Sequence, residues 1–213
     1  MNTLKNASNR VEELKQIELE HRLWIESNGE RGKQADLSGV DLSRSNLRGM
    51  SFQRANLKEA ILIGANLCTA NLEGAHLQGC RLSGASLQWS NLKESDLQNA
   101  DLGCAHLQFA DFSKAILTRA NFEGAFLHNA WFWEAIALAA NFSRANIDFT
   151  SFRGADLRKA SFTCAIIQNA DMRGSNIGES DFTGAQILLS DFRKANLPGS
   201  ELSNAILDKG NLF

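Results

Sequence analysis

From Ala35 to the C-terminus the chain advances in units of five residues without one insertion or deletion, and no other feature limits its folds as much. Ala35-Asp36-Leu37-Ser38-Gly39 leads straight into Val40-Asp41-Leu42-Ser43-Arg44, then Ser45-Asn46-Leu47-Arg48-Gly49, and the phase still holds at Gly210-Asn211-Leu212-Phe213. Of the 36 central residues, 21 are Leu, nine Phe and four Ile, with Met172 and the single small one, Ala137. Two places before each centre stands Ala in 24 units and Ser in seven; Val40, Met50, Cys80, Thr150 and Gly210 complete the set. A period of five suits neither regular element. A helix would smear the centres around its circumference, and a plain strand would throw them onto alternate faces. The chain therefore turns once per unit, with one large and one small residue pointing inward.

The same sequence reports how many turns close a coil. All nine central phenylalanines (Phe52, Phe112, Phe122, Phe132, Phe142, Phe152, Phe162, Phe182 and Phe192) sit at centres ending in two, so alternate sides differ. Outward positions divide the sides further. Trp89, Phe109, Phe149 and Leu189 all take the last place of their units at multiples of 20 from one another, while the equivalent place ten residues away holds Asn99, Lys159 and Gly199. Opposite sides are distinct, and the repeat closes at 20. This implies about nine coils and a rod roughly 43 Å long at about 4.8 Å per coil. Four faces follow, numbered here from the units 35–39, 40–44, 45–49 and 50–54. Phe122, Phe142, Phe162 and Phe182 are expected to stack along one face and Phe112, Phe132 and Phe152 along the opposite one, with Met172 filling the gap before Phe192.

Units such as Ala35-Asp36-Leu37-Ser38-Gly39 and Ala55-Asn56-Leu57-Lys58-Glu59 closely resemble the motif of the pentapeptide-repeat family: a small residue, Asp or Asn, Leu or Phe, then two polar residues. The resemblance covers residues 35–213 and implies an all-β solenoid, a right-handed quadrilateral β-helix with four units per coil. Some members of that family mimic duplex DNA and bind DNA gyrase or topoisomerase IV, protecting against quinolones or toxins, so the resemblance implies this as an alternative function. Two features set this chain apart from those members. Its formal charge is only −2, and no loop interrupts its units.

Residues 1–34 form a separate N-terminal segment. A helix is expected over about residues 9–28, with Asn9 as N-cap, Glu12 completing a capping box and Gly29 at the C-terminal stop. Val11, Leu14, Ile17, Trp24 and Ile25 gather on one side of it, with Leu19 and Leu23 nearly opposite. The first coil of a solenoid exposes unpaired backbone groups and an open core, so this helix is expected to plug it. Residues 27–34 are the polar connection.

Charge is evenly divided, with six basic and six acidic groups in residues 1–34 and 16 and 18 in the repeats, and favours no nucleic-acid backbone. No apolar run reaches the roughly 20 residues that span a bilayer, and the charged N-terminus lacks a signal peptide's apolar core. The cytoplasm is the expected location. Cys80 takes an inward small position and Cys68, Cys104 and Cys164 outward ones; all four read as free thiols. The Asp and Asn that recur one place before a centre, as at Asp36, Asp41, Asn46, Asn56 and Asn66, read as turn-makers rather than paired catalytic carboxylates. His76, His106 and His128 lie outward with no carboxylate or cysteine completing a site. The chain therefore reads as non-enzymatic, with no metal or cofactor.

Departures from the polar surface carry the functional expectations. On the third face Trp89, Phe109, Phe126, Phe149, Ile166, Leu188, Leu189 and Ile206 point outward as a broken apolar stripe, a candidate protein-contact surface. On the fourth, Trp131 and Trp133 flank a column of Arg153, Arg173 and Arg193 beside Lys194, read either as internally paired with Asp171 and Asp191 or as an anion site. At the C-terminus Leu207, Leu212 and Phe213 close the chain with no helix beyond them, which favours end-to-end packing with a second copy. Ala137 is expected to leave a pocket or local repacking, with Trp131, Trp133, Ile136 and Leu138 crowding around it. The reading is a rigid interaction scaffold with a protein partner, dimeric through the C-terminal coil or the third face.

Overall fold

The computed structural model describes residues 7–208 and residue 210, with side chains from Glu12 onward. After one helix, α1 (Ala7–Glu26), the chain winds so that residues twenty apart pair in parallel. Asp36 meets Asn56, Asp41 meets Ile61, Asn46 meets Asn66 and Ser51 meets Asn71, and the register is unchanged at Asp181 and Glu201. Every fifth residue from Gly39 to Asn204 has a positive φ, so each twenty-residue coil turns four times. Most turns close through the small residue's N–H, as when Ala55 donates to the Phe52 carbonyl at 3.0 Å. Between coils, Leu37 N–H donates to Asn56 O at 2.7 Å and Asn56 N–H returns a bond to Ala35 O at 2.9 Å. The Asp and Asn side chains do the turn-making expected of them. Asp36 Oδ1 accepts from Ser38 N–H at 3.1 Å and Asp111 Oδ1 from Ser113 N–H at 2.9 Å.

The phenylalanine stacks form as expected. Phe122, Phe142 and Phe162 stack with centroids 4.8 and 5.1 Å apart, and Phe182 continues the column at 4.7 Å. Phe112, Phe132 and Phe152 make the opposite column at 4.8 and 4.7 Å. The columns also meet edge to face across the core, Phe122 against Phe132 and Phe132 against Phe142 at 5.7 Å, so Phe132 and Phe142 are each held by four other rings. Each ring contributes about 1.5–3 kcal/mol of burial. Where Ser or Cys replaces the inward Ala, its polar hydrogen finds a carbonyl. Ser95 donates to Leu92 O at 2.6 Å, and Cys80 Sγ to Leu57 O at 2.7 Å. Burial pushes the Cys80 thiol up to about 12, and it is an inert packing group.

The helix differs from expectation at both ends. It starts at Ala7, so Asn9 lies within it rather than capping it, and it ends at Glu26. The left-handed stop falls on Asn28 (φ 52), whose N–H bonds Ile25 O at 3.2 Å while Gly29 N–H reaches Trp24 O at 2.8 Å. That crossed pair satisfies the last carbonyls, so Asn28 does the work expected of Gly29. The face toward the solenoid is in part the expected one. Leu14 is buried in the core, Ile17 packs half-buried against it, Trp24 and Ile25 are half-buried and Leu19 is exposed, while the side chain of Val11 lies outside the described residues; the addition is the buried His21. His21 is the centre of the contact. Its Nδ1 accepts from Ala35 N–H at 3.1 Å, which leaves Nε2 to donate to Gln53 O at 2.9 Å. Glu18 Oε1 takes the Ser51 N–H at 3.1 Å. In later coils the groups equivalent to Ser51 N–H and Gln53 O bond the preceding coil; here α1 side chains replace it. The return segment is clamped by Lys33 N–H to Glu20 O at 3.1 Å, and Gly32 lies so close that a Cβ there would sit 2.2 Å from Glu20 O.

Candidate functional site

The third face carries the only three extended strands among the described residues: β1 (Ile166–Gln168), β2 (Gln186–Leu188) and β3 (Ile206–Leu207), parallel and adjacent in that order. At this corner the turn bond is rerouted. Ala170 N–H donates to Ser190 Oγ at 3.1 Å, and the Ser190 hydroxyl donates to Leu188 O at 3.0 Å. Six of the eight expected contact residues are exposed: Trp89 (60%), Phe126, Phe149, Ile166, Leu189 (55%) and Ile206. Phe109 and Leu188 are half-buried. For Phe109 the cause is Trp89, which stacks on it with centroids 4.0 Å apart and planes 3° from parallel. His106 stacks on Phe126 at 5.0 Å.

Between these two apolar lines runs a polar column that includes Cys68, Gln88, Gln108, His128 and Asp148, each twenty residues after the last. Cys68 Sγ donates to Gln88 Oε1 at 3.0 Å. His128 Nδ1 lies 3.2 Å from Asp148 Oδ2, and Asn169 Nδ2 donates to Asp148 Oδ1 at 3.3 Å. The expectation that no carboxylate partners the third-face histidines is thus incorrect. His128 and Asp148 are twenty apart, one rung in the same column, and that congruence was the available signal. The imidazole is edge-on to Phe109 and Phe149, at 6.0 and 5.8 Å. The arrangement orients an aromatic surface and places no nucleophile beside the histidine. Gln108 Oε1 is buried without a hydrogen-bond partner.

On the fourth face Arg173 and Arg193 follow the first of the two readings and are paired. Arg173 donates through Nε and Nη2 to Asp171 at 2.8 and 2.6 Å, and Arg193 Nη2 to Asp191 Oδ2 at 2.6 Å. These bonds hold both carboxyls below the usual carboxylate range. Among the described residues Arg153 has no such partner. It lines an open groove of about 610 Å³ with Trp131, Trp133, Lys93, Lys114 and Ser151. Trp131, Trp133 and Ile136 are exposed, so they do not crowd in around Ala137; it is buried, and its backbone keeps the regular bond, Ala137 N–H to Asp156 O at 2.8 Å. At the C-terminal end Leu202 and Leu207, inward residues by phase, are 36% and 45% exposed, while Phe132 and Leu127 are fully buried. Leu212 and Phe213 lie outside the described residues. Cys80 is buried, Cys68 half-buried, and Cys104 and Cys164 exposed; all four are free thiols. Among the described residues no cluster of three or more His, Cys, Asp or Glu side chains is arranged to hold a metal, and no helix is long and apolar enough to cross a membrane.

Comparison with known proteins follows this geometry. The family model for pentapeptide repeats matches in eight copies, over residues 35–74, 70–103, 100–135 and 140–178. Among solved structures, HetL of the cyanobacterium Nostoc sp. strain PCC 7120, a pentapeptide repeat protein involved in heterocyst differentiation regulation, is 23% identical over 88% of this chain and 92% of its own, with a TM-score of 0.47. QnrB1, a plasmid-mediated fluoroquinolone resistance protein, is 19% identical over 83% of this chain and 91% of its own, at 0.42. A pentapeptide repeat protein of the Arabidopsis thaliana thylakoid lumen is 32% identical over 53% of this chain and 68% of its own, at 0.29. No curated protein matches significantly.

Proposed function

The chain belongs to the pentapeptide-repeat family, and from that premise we propose that it is a non-enzymatic, rigid scaffold that binds a partner protein through its third face. One observation carries the reading: large apolar side chains stay exposed along two columns of a single face, among them Trp89, Phe149, Leu189, Phe126, Ile166 and Ile206. The outward places of that face from residue 46 to residue 208 include only three charged residues, Arg48, Asp148 and Asp208. So many exposed apolar side chains gathered on one face, though broken by Asn129, Asn146, Asn169 and Gln186, support an interaction surface as scattered single residues would not. The comparison of wild type with Trp89→Ser/Phe109→Ser/Phe149→Ser in an affinity pull-down tests it. Loss of captured proteins from the triple variant is expected, and identical recoveries reject the third face.

The rest of the architecture serves that role. The repeat forms a right-handed β-helix of about nine coils, with α1 as its N-terminal cap. The four free thiols support a reducing, cytoplasmic setting. Exposed Leu202 and Leu207 support end-to-end pairing of two copies through the C-terminal coil. Light scattering with and without residues 198–213 tests this; a monomer mass in both cases sinks it. Mimicry of duplex DNA, the alternative, is less well supported. A mimic needs charge approaching one negative group per ~1.7 Å of axis, and the face most available for contact is nearly uncharged.

A further inference from the structure

The groove on the fourth face lies where the charge pairing of its column breaks down. Asp171 and Asp191 each stand two residues before an arginine and hold it through two or more hydrogen bonds. One coil earlier Ser151 takes the aspartate's place, so Arg153 has no carboxylate in its own unit, and among the described residues it makes no ion pair. Of the acids around it, Asp111 is held by Lys93 at 3.1 Å and Asp171 by Arg173, while Glu134, whose N–H donates to Arg153 O at 3.1 Å, makes no ion pair with it. In its column Arg153 stands between Trp133 and Arg173, and Trp131 and Trp133 are 45% and 51% exposed. An arginine fork without an ion-paired carboxylate thus sits beside two half-exposed indole rings.

We propose that this groove binds an acidic peptide segment of a partner protein, a Glu or Asp carboxylate taking the Arg153 guanidinium while an adjacent apolar or aromatic side chain lies against Trp131 and Trp133. The planar guanidinium presents paired donors that match a carboxylate. Trp and Arg are also the residue types that dominate binding energy at protein interfaces. A small ligand is the weaker occupant. Such ligands usually have at least 70–90% of their surface buried, and this groove is open on one side. Duplex or single-stranded nucleic acid is weaker still, since it brings an unbroken row of phosphates to a lining whose Lys93, Lys114 and Arg153 are matched in number by Glu94, Asp111 and Asp171, whereas a peptide carboxylate needs only Arg153. The site is on a different face from Trp89 and Phe149, so the rod offers two separate contact surfaces.

The test uses the full chain and a fluorescein-labelled peptide of sequence Glu-Phe-Glu-Phe-Glu, followed by anisotropy, beside a twin with Gln in place of each Glu. Saturable binding of the Glu peptide is expected. Arg153→Gln, Trp131→Ala/Trp133→Ala and the Gln peptide should each weaken it about tenfold or more, Arg153→Lys should lose less than Arg153→Gln, and Trp89→Ser should leave it unchanged. No saturation up to millimolar peptide overturns the proposal, as does equal affinity for Arg153→Gln and wild type. Displacement by 3-phenylpropionate at a concentration equal to the peptide's would assign the groove to small carboxylates and overturn the peptide reading.

Discussion

The two ends of the solenoid meet the same physical problem in opposite ways. At the N-terminal end the first coil exposes backbone groups with no preceding coil to bond, and α1 supplies Glu18 to Ser51 N–H and His21 to Gln53 O and Ala35 N–H. At the C-terminal end Leu202 and Leu207 keep the inward phase and remain 36% and 45% exposed. The interior coils bury the equivalent centres completely. A five-residue repeat satisfies itself only through its neighbours, so an end is closed by non-repeating sequence or by another molecule. The α1 contact is held by polar groups and the last described coil presents apolar ones, which makes their responses to mutation differ in kind.

His21→Ala gives the largest expected effect. It leaves Gln53 O and Ala35 N–H without their partners, at about 1–3 kcal/mol for each buried group, and should lower the urea midpoint accordingly. A change below about 0.5 kcal/mol would mean that α1 does not hold the first coil. Gly32→Ala comes next. The added Cβ would meet Glu20 O at 2.2 Å and Leu23 Cβ at 2.8 Å at a φ of +69°, so a loss of about 2 kcal/mol and faster amide exchange across α1 are expected.

Acid separates the ends further. Burial, the largest influence on His21, lowers its pKa below the ordinary value, against the opposing bond to Gln53 and the charge of Glu18. The folded chain then binds fewer protons than the unfolded chain, so the His21 contribution is complete above about pH 6.5 and is lost progressively as pH falls toward the folded value. Urea midpoints at pH 7.5 and 5.5 should therefore fall further for wild type than for His21→Gln; equal falls would remove His21 as the source. The smallest effect belongs to the last described coil. Leu207→Ser should change monomer stability by no more than about 0.5 kcal/mol, because the side chain is already half in water. A larger loss that grows with protein concentration would show that a second copy covers it.

Much of the architecture was legible because each unit repeats its own constraints. The spacing of Phe112, Phe122, Phe132 and Phe142 anticipates both stacks, and Asp36 or Asp111 before a centre anticipates the turn bond it makes. The stripe of Trp89, Phe149 and Leu189 was visible at spacing 20 for the same reason. Legibility faded where a residue acts across elements. A wheel of apolar residues found Leu14 and Ile17 but could not find His21, since a coil rim presents N–H and C=O groups and needs polar partners. The His128–Asp148 contact was missed because each residue alone breaks the column's pattern and only the pair has a meaning.

The amino-acid sequence by itself determined the period, the closure at 20, the inward Leu and Phe and the inequality of the four faces, because a repeat fixes the same local geometry thirty-six times over. Only the tertiary structure decided which groups meet at the rim, that Arg173 and Arg193 are neutralised while Arg153 is not, and that Trp131 and Trp133 turn to solvent instead of packing around Ala137. Those outcomes depend on side-chain directions and distances of a few ångströms between neighbouring coils, where hydrogen bonds and ion pairs are made or lost within about 1 Å.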